Sequence, residues 1–335
     1  MSSQSALQTN KTMEIETDPR LSPGTKEFLK VLNSPAPPEL EKLPPEEARE
    51  ALVNVQASVD VDYSGIEESE KTITANGYEI KLNIVRPEGV SAKLPVFIFI
   101  HGGGWVLGDY PTHKRMVRDL VVHSGFASVF VNYTRTPEAV YPHQLNEIYA
   151  ACRWVSENGD EINVDGKNMA IVGNSVGGNM TAATALMAKE KGGPEFKLQI
   201  LMWMVADADF ERQSWKDFGE KRFLSAPLMK WMWDLYAAPE RRKEPHASPL
   251  QASAEQLKGL PPALIQVAES DILRDEGEAY GRKLDEAGVK VTTVRYEGMI
   301  HDFGLLNGLA EESAVRSLFE HAAAELKKHL STTKR

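Results

Sequence analysis

From about residue 70 onward, short apolar runs alternate with longer amphipathic ones. Strand-like runs lie at 80–86, 95–100, 127–133, 168–173, 197–204, 263–269 and 290–296. Phe97-Ile98-Phe99-Ile100 and Ile200-Leu201-Met202-Trp203 are apolar without a polar alternate, the pattern of strands covered on both faces. Helix-like runs fill the gaps at 112–124, 143–158, 177–191, 275–287 and 310–330. This repetition predicts an α/β fold built on a mostly parallel sheet with right-handed crossovers.

Two regions break the rhythm. Residues 1–20 are polar and read as a flexible tail. A short helix is expected at 25–33 and is broken by Ser34-Pro35-Ala36-Pro37-Pro38. Pro44-Pro45-Glu46-Glu47 then opens a second helix, with acidic residues in its first turn and Ala48, Ala51, Leu52 and Val55 at helical spacing. Residues 207–250 hold no strand signal but contain Trp215, Phe218, Phe223, Trp231, Trp233 and Tyr236. Leu228, Trp231, Met232 and Leu235 make one helical stripe; Met229, Trp233 and Tyr236 make a second. A helix apolar on two faces is covered on both sides. It reads as a lid between the sheet and the N-terminal segment, with a plain core helix as the alternative. The organisation expected is a tail at 1–20, an N-terminal cap segment at 21–65, a catalytic domain at 66–206 and 241–335, and a second cap segment at 207–240.

Bulk properties narrow the partners. The 335-residue chain carries a formal charge of −10 and no basic cluster, which argues against nucleic acid. It has no run of about 18 apolar residues, so no membrane span is expected, and its polar start lacks the apolar core of a signal peptide. Cys152 is the one cysteine. An intrachain disulfide is excluded, which suits a reducing cytoplasm.

The chemistry lies in the glycine motifs. Gly-Asn-Ser-Val-Gly at 173–177 follows Met169-Ala170-Ile171-Val172 and precedes Met180-Thr181-Ala182-Ala183, the strand–turn–helix context of a nucleophile elbow. Ser175 is the candidate nucleophile. His101-Gly102-Gly103-Gly104 follows strand 95–100 directly. Three consecutive glycines cost conformational entropy, so backbone without side chains is needed there. An oxyanion hole has that need, and the amides of Gly103, Gly104 and Val176 are its candidate donors. A phosphate loop fits less well, because neither Gly-Lys-Ser/Thr nor Gly-x-Gly-x-x-Gly occurs at this loop. His101 reads as a brace for the loop rather than a base.

Of eight histidines, His301 alone lies in a loop just after a late strand. The order Ser…Asp…His then requires an acid between 175 and 301. Asp271 follows strand 263–269 at once, where open α/β sheets place function, while Asp275 and Glu276 fit the first turn of the next helix. The lid aromatics point to a compact apolar pocket. Trp105, Asn174, Trp215, Trp231 and Ile272 are the candidate substrate-binding residues.

These motifs, in this order, resemble the hormone-sensitive-lipase-like (family IV) carboxylesterases of the α/β-hydrolase fold. Asp271-Ile272-Leu273-Arg274-Asp275-Glu276, Gly298-Met299-Ile300-His301-Asp302-Phe303, and Tyr133 with Pro137-Glu138 and Tyr141-Pro142 also match. The likeness covers roughly 70–330. It implies an eight-stranded sheet flanked by helices, a helical cap, no cofactor and no metal, and a triad of Ser175, Asp271 and His301. It also implies a small-molecule ester as substrate, with short- to medium-chain acyl groups, and a homodimer through edge strand 290–296 and the last helix. Family members usually carry Asp before the serine and a small residue after it; here Asn174 and Val176 stand there. Amidase, thioesterase or dehydratase chemistry on the same site stays open, as does a non-catalytic ligand receptor.

Overall fold

The computed structural model describes residues 13–331. Helices α1 (Pro23–Leu32) and α2 (Pro45–Ala57) come first. Strands β1 (Ile66–Ala75), β2 (Tyr78–Pro87) and β3 (Leu94–Ile100) follow, then α3 (Tyr110–Ser124), β4 (Ala127–Asn132), α4 (His143–Asn158), β5 (Val164–Asn174), α5 (Val176–Lys191) and β6 (Gln199–Met202). The chain continues through α6 (Gln213–Phe218), α7 (Ala226–Tyr236), α8 (Ala254–Leu257), β7 (Ala263–Ser270), α9 (Arg274–Glu286), β8 (Val291–Ile300) and α10 (Ser313–Leu330).

The eight strands form one sheet in the order β1-β2-β4-β3-β5-β6-β7-β8. β2 runs antiparallel to both of its neighbours, and every other pairing is parallel. Both faces are covered, as the unbroken apolar strands require. Val96, Ile98 and Ile100 pack into one core layer with α4 and the cap. Phe97 and Phe99 pack into the other with α3 and α10. The strand-to-helix turns after β3, β5, β7 and β8 therefore collect at one edge of a rigid sheet, beneath α1, α2 and α7.

Three features depart from the sequence reading. β1 is an eighth strand outside the seven apolar runs. It is an edge strand whose one buried residue is Ile73, so hydrophobic periodicity does not mark it. Its signal is the Asn76-Gly77 turn, both residues at positive φ (51° and 83°), joining it to β2 as a two-residue hairpin. β6 is shorter than 197–204 because Trp203, at φ 36°, leaves the sheet. The expected tail is folded over its described part. Ile15 is buried, and Asp18 is fully buried against Arg222 (2.9 Å) and Arg20 (2.9 Å). Burial alone raises the Asp18 pKa, but hydrogen bonds from Arg20 and Arg222 outweigh it and hold it at about 2. Residues 1–12 of that tail lie outside the described residues. Within the described residues, no helix is long and apolar enough to cross a membrane.

Candidate active site

Ser175 sits between β5 and α5 with φ 55° and ψ −123°. A non-glycine residue holds such a backbone only where its surroundings fix it. Here its N–H donates to the Met202 carbonyl (2.8 Å), and its own carbonyl accepts from Val205 (3.2 Å) and Asn179 (3.1 Å). The turn is tight enough that a Cβ on Gly177 would run into the Ile100 carbonyl. Small residues there are a packing requirement.

His301 follows β8 and reaches both partners. Its Nδ1 lies 2.8 Å from Asp271 Oδ2, and its Nε2 lies 3.0 Å from Ser175 Oγ. Asp271 leaves the end of β7, and its other oxygen accepts from the Leu273 N–H at 3.0 Å, which fixes the carboxylate. All three side chains are buried. Burial alone disfavours the imidazolium of His301, but the carboxylates of Asp271 and Asp302 overcome it and leave the pKa raised above 6.5.

The glycine loop turns back on itself. Gly103 (φ 102°) and Gly104 (φ 63°) adopt the left-handed region, and the Gly103 carbonyl accepts from Val106 (3.1 Å) and Leu107 (2.7 Å). Gly103, Gly104, Ser175 and His301 share the floor of one cavity. Val176 is the first residue of α5, a position whose N–H has no acceptor inside the helix. His101 is a brace, as expected. It is buried, stacks on Tyr133 with ring centres 4.1 Å apart, and has its Nδ1 2.8 Å from the Gly102 carbonyl. Burial and the neighbouring His113 keep its pKa well below 6.5.

The cavity holds about 460 Å³, within the usual range for small-molecule sites, ~300–1,000 Å³. Its walls are largely aliphatic: Leu228, Met229 and Met232 from α7, with Leu52 and Val55 from α2. The five candidate substrate-binding residues are not in this wall. Trp105 is fully buried and stacks on Tyr236 at 3.9 Å, beneath α7. Trp215 donates to Glu276 at 3.3 Å and packs on Phe210. Trp231 is half-buried on α7, away from the cavity. Ile272 is buried and its carbonyl accepts from Ser214 at 2.6 Å. Asn174 is buried behind the serine, where its Oδ1 accepts from Gly102 N–H at 3.0 Å. Trp105 packs with Trp233 and Tyr236 of α7, while aliphatic side chains and Phe223 face the open space.

Asp302, which the sequence reading passed over, lines the cavity beside His301. Its Oδ1 accepts from Trp203 Nε1 (2.6 Å) and Asn174 Nδ2 (3.2 Å), and its Oδ2 lies 3.8 Å from His301 Nε2. Its position directly after the histidine was the available signal. Glu276, expected as a first-turn helix residue, also reaches back to accept from the Ala206 (2.8 Å) and Asp207 (3.3 Å) amides.

Known proteins share this arrangement of elements. A family model described as alpha/beta hydrolase fold matches residues 97–305. An alpha/beta hydrolase of Acanthamoeba polyphaga mimivirus is 37% identical over 309 residues, covering 92% of this chain and 88% of the relative. The carboxylesterase NlhH of Mycobacterium tuberculosis is 34% identical over 256 residues, covering 74% of this chain and 80% of the relative. The crystal structure of a thermostable esterase from Pseudomonas putida ECU1011 superposes with a TM-score of 0.93 at 56% identity, covering 94% of this chain and 99% of that one. The chain belongs to the α/β-hydrolase family, in its hormone-sensitive-lipase-like (family IV) branch of esterases.

Proposed function

We propose that the protein is a serine carboxylesterase acting on short- to medium-chain esters through an acyl-enzyme. The observation that carries this reading is the continuous Asp271–His301–Ser175 chain on the floor of an apolar cavity, beside the Gly103-Gly104 turn. His301 accepts the Ser175 proton as Oγ attacks the ester carbonyl, and it returns that proton to the leaving alcohol. Water then repeats the cycle on the acyl-enzyme. Asp271 holds the Nδ1–H tautomer of His301 and stabilises its cation. The developing oxyanion is met by the amides of Gly103, Gly104 and Val176, with the positive end of α5 behind them. No cofactor is required by this sequence of steps.

The chain-length preference rests on the apolar walls and the limited volume. Rates on C2 to C16 nitrophenyl esters test it: a maximum between C2 and C8 is expected, and a maximum at C14 or above overturns it. An amide and a thioester of the preferred acyl group, assayed alongside, separate esterase from amidase and thioesterase chemistry. A single cysteine leaves no intrachain disulfide, which supports a reducing compartment such as the cytoplasm. Among the described residues β8 ends the sheet, with Ser22 bonded to its edge at the Gly298 carbonyl (3.0 Å), and the remaining edge with α10 supports a homodimer. Light scattering that finds only monomer at micromolar concentration ends that reading.

A further inference from the structure

α2 touches both halves of the site. Arg49 and Gln56 are seven residues apart, which places them on one face of the helix about 10 Å apart along its axis. At one end, Arg49 donates through Nε to the Val106 carbonyl (2.9 Å) and through Nη2 to the Thr136 carbonyl (3.1 Å). Glu138 orients the guanidinium by a two-pronged pair at 2.8 and 2.7 Å. Val106 belongs to the turn closed on the Gly103 carbonyl, and the Thr136 N–H donates to Trp105 O in the same turn at 2.8 Å. Arg49 therefore grips the turn that carries the Gly103 and Gly104 amides.

At the other end, buried Gln56 grips the loop after His301. Its Nε2 donates to the carbonyls of Leu305 (3.0 Å) and Thr112 (2.7 Å). Its Oε1 accepts from the Asn307 N–H (3.0 Å), and its backbone carbonyl accepts from Asn307 Nδ2 (2.9 Å). That loop is short and stiff: the Asp302 carbonyl accepts from Leu305 (2.8 Å) and Leu306 (2.9 Å), and Arg115 donates to Leu305 O at 2.9 Å from the opposite side. Between the two grips, Leu52 and Val55 of the same helix wall the cavity.

We propose that α2 is a strut that sets the spacing between the oxyanion-binding turn and the catalytic histidine, with Arg49 and Gln56 as its positioning residues. The inference rests on the serine-esterase reading above. The two segments leave different strands, β3 and β8, more than a hundred residues apart in sequence, and α2 joins them directly across the site. Transition-state stabilisation needs the donors and the base at a fixed separation, and a displacement of about 1 Å costs on the order of a hundredfold in rate. Substrate contact with the aliphatic wall is less exacting. Loss of either grip therefore lowers kcat more than it changes KM.

The test is a double-mutant cycle with Arg49→Ala and Gln56→Leu, using kcat normalised to titrated active sites, with melting curves and near-ultraviolet circular dichroism as folding checks. Each single variant is expected to lose about tenfold in kcat with KM within about twofold. The double variant is expected to lose little more than the worse single, because one released end already frees the spacing. Sites this far apart with no shared partner otherwise add. Arg49→Lys, which keeps one donor for Val106 O, should recover part of the loss. If Gln56→Leu does not fold, Gln56→Asn, one methylene too short to span Leu305 and Asn307, takes its place. Folded single variants with unchanged kcat, or losses that multiply to about a hundredfold, overturn the strut. If the wild type shows Ser175-dependent turnover, such results count against the strut alone. A folded wild type inert on every ester sinks both readings.

Discussion

Asn174 donates its side-chain amide to Asp302 at 3.2 Å, so the residue before Ser175 holds the residue after His301. The other end of the same amide accepts from the Gly102 N–H at 3.0 Å. One short side chain thus joins the glycine loop, the serine turn and the histidine loop. All three joined segments carry positive φ at or beside the contact: Gly103 at 102°, Ser175 at 55° and Asp302 at 59°. A carboxylate at 174 would face the Asp302 carboxylate, with the buried His113 ring 3.4 Å from the present amide as its other neighbour.

Asn174→Asp is therefore expected to destabilise the fold in a pH-dependent way. Two carboxylates at this distance cannot both ionise freely, so one acquires a folded pKa above its unfolded value. The penalty is absent at low pH, appears as pH rises above the unfolded carboxylate pKa, and grows until the folded pKa is passed. A deficit of about 1–3 kcal/mol against wild type is expected at pH 8, shrinking toward pH 4. Denaturant melts of both proteins at the two values check it; a deficit independent of pH contradicts it.

The pKa of His301 fixes the acid limb of activity. The base form of His301 is the active one, so kcat/KM rises with pH, and the raised pKa puts the midpoint above 6.5. Asp302 is one source of that rise. Asp302→Asn should move the midpoint down while leaving Asp271 and Ser175 in place. A pH profile that is flat from 5 to 9, or a midpoint that stays put in the variant, argues against this electrostatic account.

Glu276 gives the fold a pH slope of its own. It is fully buried, and desolvation raises its pKa from 4.5 to about 8 despite hydrogen bonds from Ala206, Trp215 and Asp207. In the unfolded chain this group loses its proton near 4.5, while the native state keeps it until about 8. The native state then holds more protons across that window, so stability falls as pH rises through it. Glu276→Gln removes this contribution. The fall in unfolding free energy between pH 5 and 8 should be smaller in the variant than in the wild type, and an unchanged difference contradicts the prediction.

Gly104 has no room for a methyl group. Its φ of 63° strains any side chain, and a Cβ there would strike the Met232 sulfur above it. Gly104→Ala should lower kcat/KM by about a hundredfold or more, the scale of losing one oxyanion donor. Adding Met232→Ala relieves the collision but not the backbone strain, so recovery should be partial. A single variant within threefold of wild type would show that the turn tolerates displacement.

The grouping of Ser175, Asp271 and His301 is legible in the sequence because each sits next to a strand end that apolar runs and glycines mark. The cavity wall is not. Aromatic content draws attention to Trp105, Trp215 and Trp231, yet Trp105 lies in a stacked layer with Tyr236, and the cavity is lined by Met229, Met232, Leu52 and Val55. Which face of a two-sided helix meets open space depends on what packs above it, and periodicity carries no record of that. The same holds for Asp18, whose burial comes from Arg222, more than two hundred residues away. β1 escapes notice because an edge strand with a single buried residue, Ile73, has no apolar alternation to show.

The most direct test of the central claim is hydrolysis of p-nitrophenyl acetate, butyrate and octanoate by the wild type and by Ser175→Ala, with the variant shown to be folded. The wild type is expected to turn over all three, and the variant to lose on the order of a million-fold in rate. A folded Ser175→Ala protein that keeps a tenth of the wild-type rate would contradict it.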